Sequence, residues 1–153
     1  MKKTFFLILI LILIVGCNAK IENSLENIIN NFSFNTTKSN STEIVIKLYD
    51  TELTKKRVSD VESFKAKKEF KATSKQQLES FYEVFKNVEK TGYCCCPTAI
   101  YSIHFLNKKE ELDLFYVDTL QFKDKVRIYE KSFQYSYIVE KQKWKDYLLK
   151  LEN

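Results

Sequence analysis

Apolar residues run without interruption from Phe5 to Val15, thin out, and return from Glu43 onward in periodic stretches. Asn18 to Ser41 is polar, with six asparagines between Asn23 and Asn40. Within it Ile21, Leu25, Ile28, Ile29 and Phe32 keep helical spacing, which predicts a short amphipathic helix followed by a loose tether. Glu43 to Tyr49 (EIVIKLY) is β-branched and aromatic and predicts a strand. Between Val58 and Thr73, Phe64, Ala66, Phe70 and Ala72 fall on one face of an extended chain. The lysines around them suit an edge strand, where charge discourages pairing with other chains.

Ser74-Lys75-Gln76-Gln77 reads as a capping box, with Ser74 as N-cap and Gln77 reaching back. Leu78, Phe81, Tyr82, Phe85 and Val88 continue from it as a helical stripe. The predicted helix runs from Ser74 to Lys90, with Gly92 placed to cap its C-terminus. After Pro97 the period changes to two. Ile100–Leu106, Leu112–Val117, Lys125–Tyr129 and Phe133–Val139 then read as consecutive strands joined by short polar links. Links this short favour an antiparallel meander, because parallel strands need longer crossovers. Trp144, Tyr147, Leu148 and Leu151 form a last helical stripe. The predicted fold class is α+β: an antiparallel meander sheet packed by a central helix and a C-terminal helix.

The run Phe5–Val15 has eleven residues, too few for a bilayer-spanning helix, which takes about 20. With Met1-Lys2-Lys3-Thr4 before it and Gly16 after it, it reads as a secretory signal. The expected organisation is a signal peptide over 1–16, a lipidated cysteine and polar tether over 17–41, and a single α+β domain over 42–153. Ile14-Val15-Gly16-Cys17 resembles the lipobox of bacterial lipoproteins. That resemblance implies cleavage after Gly16, a diacylglycerol thioether on Cys17, and the membrane as a partner through that lipid. The position after the cysteine holds Asn18, where aspartate tends to retain proteobacterial lipoproteins at the inner membrane; the outer membrane is therefore favoured for a Gram-negative source. Residues 74–151 also loosely resemble small bacterial lipoproteins of unknown function, in their helix, cysteine-bearing turn and tyrosine-rich meander. This second resemblance transfers no functional residue.

The whole chain has 25 basic and 20 acidic residues; removing Lys2 and Lys3 with the signal leaves 23 against 20. Lys55-Lys56-Arg57, Lys65, Lys67, Lys68, Lys71 and Lys75 are interleaved with Glu62 and Glu69. Such mixing marks a solvated surface, and no nucleic-acid partner is expected.

Candidate chemistry is sparse. With Cys17 taken by lipid, the remaining cysteines are Cys94, Cys95 and Cys96, and no distant cysteine can pair with them. They read first as small apolar residues entering a strand. A thiol-dependent metal or redox site on the three is the alternative, although the spaced pairs of an ordinary zinc site are missing. His104, the only histidine, is expected to be a partly exposed sheet residue, with Ser102 and Leu106 as same-face neighbours. Glu110, Glu111, Asp113 and Asp118 read as solvated carboxylates. Tyr135 and Tyr137 are expected to share a face with Phe133 and to belong to an aromatic core. No nucleophile-elbow, metalloprotease or phosphate-loop motif is present. The expectation is therefore a lipid-anchored envelope protein that binds an unknown envelope component, without catalysis and without a cofactor.

Overall fold

The computed structural model describes residues 34–50, 58–92, 98–133 and 135–152. The chain divides into two units, Met1–Thr36 and Thr37–Asn153, and the second holds the sheet and the helices packed on it. The expected signal peptide, Cys17 and the Cys94–Cys96 triplet lie outside the described residues.

Seven strands form one antiparallel sheet: β1 (Glu43–Leu48), β2 (Lys68–Ala72), β3 (Glu89–Thr91), β4 (Tyr101–Asn107), β5 (Glu110–Asp118), β6 (Lys125–Glu130) and β7 (Ser136–Glu140). Their spatial order is β2-β1-β4-β5-β6-β7-β3. The stretch β4 to β7 is the expected meander. Helices α1 (Lys75–Val84) and α2 (Lys141–Glu152) cover one face. There Phe81 meets Phe105 and Tyr147, Phe85 meets Tyr137, and Trp144 meets Tyr101. The α+β class is as expected from the sequence.

The capping box forms as read: Gln77 N–H donates to the Ser74 hydroxyl, and the Gln77 side chain accepts from the Ser74 N–H. The helix stops earlier than expected. Phe85 is its C-cap, and Asn87, not Gly92, takes the positive φ of 58°. Glu89–Thr91 leaves the helix and pairs with β7. β2 and β3 lie at opposite edges of the sheet, so the chain has to leave the helix and return to the sheet beside β7. Residues 85–87 form that turn, and asparagine tolerates its left-handed conformation.

The 58–73 stretch also departs from expectation. It is not one strand: Val58–Ser63 is a 3-10 helix and only Lys68–Ala72 is extended. Phe70 and Ala72 pair opposite Ile46 and Ile44, on the helix-covered face. Phe64 and Ala66 pack instead with Tyr49, Val61, Leu114, Tyr116 and Tyr129, a second small core on the other face. Phe133, at φ 63°, joins that second core beside Tyr129. It therefore does not share a face with Tyr135 and Tyr137, which are buried under the helices as expected. Residues 34–40 are helical, so the stretch expected to be a loose tether carries structure at its end.

The β4–β5 hairpin turns through Lys108 and Lys109, at φ 49° and 76°. Two consecutive positive φ values suit Asn-Gly, whereas a lysine there bears a Cβ clash of about 1–2 kcal/mol. Lys109→Gly is accordingly expected to raise stability by about 1 kcal/mol, read from the shift of the urea midpoint.

Candidate functional site

The face of the sheet away from α1 and α2 carries a row of hydrogen-bonded polar side chains. β4 projects Ser102 and His104 to this side, opposite Tyr116 and Leu114 of β5. His104 is only 6% exposed and Ser102 is fully buried. The expectation of a partly exposed histidine is corrected: the 3-10 helix and Tyr49 close over a strand that alternation alone leaves half open.

The ring of His104 is engaged at both nitrogens. Nε2 lies 2.9 Å from Ser102 Oγ, and Nδ1 lies 2.6 Å from a Glu111 carboxylate oxygen. Ser102 Oγ is also 3.0 Å from the Tyr49 hydroxyl. Glu62, on the 3-10 helix, brings a carboxylate oxygen to 3.6 Å from Nε2. A neutral imidazole has one satisfying arrangement. Its Nδ1–H donates to Glu111, its Nε2 accepts from Ser102, and Tyr49 donates to Ser102. Burial pushes the Tyr49 hydroxyl above its ordinary pKa, opposed by the Ser102 bond. Tyr116 is raised further, by burial and then by the adjacent Glu62 carboxylate, to which it hydrogen-bonds. Both phenols are therefore held protonated, as donors.

Glu111 reaches His104 because of a defect in the ladder. Asp113 pairs with Phe105 but Glu111 pairs with Leu106, so two steps on β5 match one on β4. Without that bulge, strict alternation would put Glu111 on the face of Asp113, under the helices. The extra residue reverses the side-chain direction, and Leu112 is left 38% exposed. Bulges re-aim side chains in this way. Counting alternate positions cannot reveal this pair, and the sequence reading missed it. The part played by Glu62 was missed for a different reason, since it comes from a 3-10 helix read as part of a strand.

The other carboxylates are dispersed. Asp113 lies on the opposite face, its carboxyl raised first by burial and opposed by the Leu114 N–H bond. Asp118 is buried, not solvated: it accepts from the Thr98 hydroxyl at 2.7 Å and from the backbone N–H groups of Leu120 and Gln121. That fixes the turn after β5. Glu110 is exposed.

The chain matches no protein-family model, no curated protein and no solved structure. Hydroxyl, imidazole and carboxylate stand in the order of a nucleophilic triad. Ser102 has no exposed surface, however, so in this conformation its hydroxyl cannot meet an acyl group. What the row does hold is an imidazole between two carboxylates whose side chains are 34% and 43% exposed.

Proposed function

We propose that this chain is a lipid-anchored protein of the cell envelope whose domain serves as a non-catalytic binding or accessory module. The observation that carries the reading is Ile14-Val15-Gly16-Cys17 directly after an eleven-residue apolar run and a cationic start. Lipid on Cys17 anchors firmly, since each buried methylene contributes about 0.8 kcal/mol and two acyl chains act together. Among the described residues no helix is long and apolar enough to cross a membrane. The burial of Ser102 supports a binding role over acyl transfer.

Cys17→Ser is expected to abolish metabolic labelling with palmitate and to shift the protein from the membrane fraction to the soluble or unprocessed pool. Undiminished labelling of that variant would remove the lipid anchor from the proposal.

A further inference from the structure

Glu62, His104 and Glu111 come from three separate elements: the 3-10 helix, β4 and the bulged start of β5. One ligand atom from each lies within 4.8 Å of the other two. We propose that these three residues form a binding site for a divalent cation of the zinc class. The proposal is independent of the lipid anchor.

Charge is the first argument. Two carboxylates face one imidazole, and among the described residues neither has a lysine or arginine partner. A cation supplies the positive charge that is missing around the two carboxylates among the described residues.

Geometry is the second. Zinc bonds to imidazole nitrogen and carboxylate oxygen are about 2.0–2.2 Å, so tetrahedral ligand atoms stand about 3.3 Å apart. The glutamates approach that spacing by rotation of partly exposed side chains, Glu62 giving up its Tyr116 bond and swinging from the Nε2 side toward Nδ1, where Glu111 already stands. Nδ1 faces the partly exposed Glu111, while Nε2 faces the buried Ser102. The cation takes Nδ1 with both carboxylates, and the single imidazole proton passes by exchange with solvent from Nδ1 to Nε2, so the ring stays neutral. Nε2 then donates that proton to Ser102, whose hydroxyl turns to donate to the Tyr49 oxygen. A metal-bound imidazole held through its far nitrogen by a fixed acceptor is the usual supporting arrangement. Three protein ligands leave one position for water.

Chemistry of the donor set selects the metal. Magnesium and calcium take all-oxygen shells, whereas mixed imidazole and carboxylate donors suit zinc and its neighbours. The β5 bulge has a purpose on this reading, because it turns Glu111 toward His104.

Because His104 is the only histidine, its ring signals report on this site alone, even if thiols elsewhere also take zinc. The full chain, labelled with ¹⁵N and ¹³C in histidine, is titrated with zinc chloride to a several-fold molar excess and followed by NMR. The His104 ring signals are expected to move and saturate, with magnesium chloride leaving them in place. Glu62→Gln and Glu111→Gln, both near-isosteric, should each weaken this saturation on the order of tenfold or more, with sheet amide signals confirming the fold. Zinc uptake with unmoved imidazole signals would assign the metal to the thiols and overturn the site. No uptake would also overturn it, as would unchanged affinity in both folded glutamine variants. If the variants fail to fold, the titration of the unaltered chain decides alone.

Discussion

Between about pH 10 and pH 12 the domain is expected to unfold in one cooperative step. Burial under the helices pushes the Tyr137 hydroxyl from its ordinary 10 up to about 12. Tyr135 and Tyr147, under the same helices, are raised further by burial, helped respectively by nearby Asp113 and Tyr82. Tyr116, on the other face, is raised by burial and then by Glu62. In each case the folded state prefers the protonated phenol. Below about pH 10 both states are protonated and full stability is present. Above it the unfolded chain loses protons that the folded chain retains, and stability falls until the folded-state pKa is passed. For Tyr137 alone the raised pKa is worth on the order of 3 kcal/mol. By pH 12 the four phenols together remove on the order of 10 kcal/mol, comparable with the roughly 5–15 kcal/mol that holds a typical domain. Tyrosinate absorbance and circular dichroism followed against pH should change together. A gradual tyrosine titration with the sheet signal intact at pH 12 would contradict this.

Phe81→Ala is expected to remove about 3–5 kcal/mol, read from the urea midpoint. Phe81 has no exposed surface and is ringed by Phe85, Phe105 and Tyr147, with centroids at 5.1, 5.7 and 5.3 Å. It joins α1 to both α2 and the sheet, so the neighbours cannot close the hole without moving a helix. Leu149→Ala in α2, at a side that is 56% exposed, should change stability by no more than about 0.5 kcal/mol. A loss at Phe81 as small as that would show that the aromatic cluster is not the core of the domain.

Most of the architecture was readable because it depends on short-range rules. The Ser74 cap, the period-two stretches after residue 100 and the stripe through Trp144, Tyr147 and Leu148 each carry their own local signal. What escaped depends on long-range closure. The α1 stripe reads on through Val88, but the helix ends at Val84 and the chain turns through residues 85–87 to deliver β3 to β7. Phe64 and Phe70 look like one face, yet the chain rounds the sheet edge between them and delivers them to opposite sides. The site escaped for the same reason. Ser102 and His104 were legible as same-face neighbours; Glu111 and Glu62 were not, because a bulge and a 3-10 helix break the periodicities on which such reading relies.

The position of β3 beside β7 bears on how the domain comes into being. β3 has one strand neighbour, β7, and Lys90 meets Tyr137 across 47 residues of chain. The opposite edge is tied to the same late segment, since α2 packs on β2 and Glu152 pairs with Lys68. Neither border of the sheet can be completed until β7 and α2 are in hand. During synthesis the earlier strands therefore wait with open borders, and pairings this distant in sequence form slowly. A chain broken before residue 136 would lose three elements at one stroke: β7, α2 and, for want of its partner, β3.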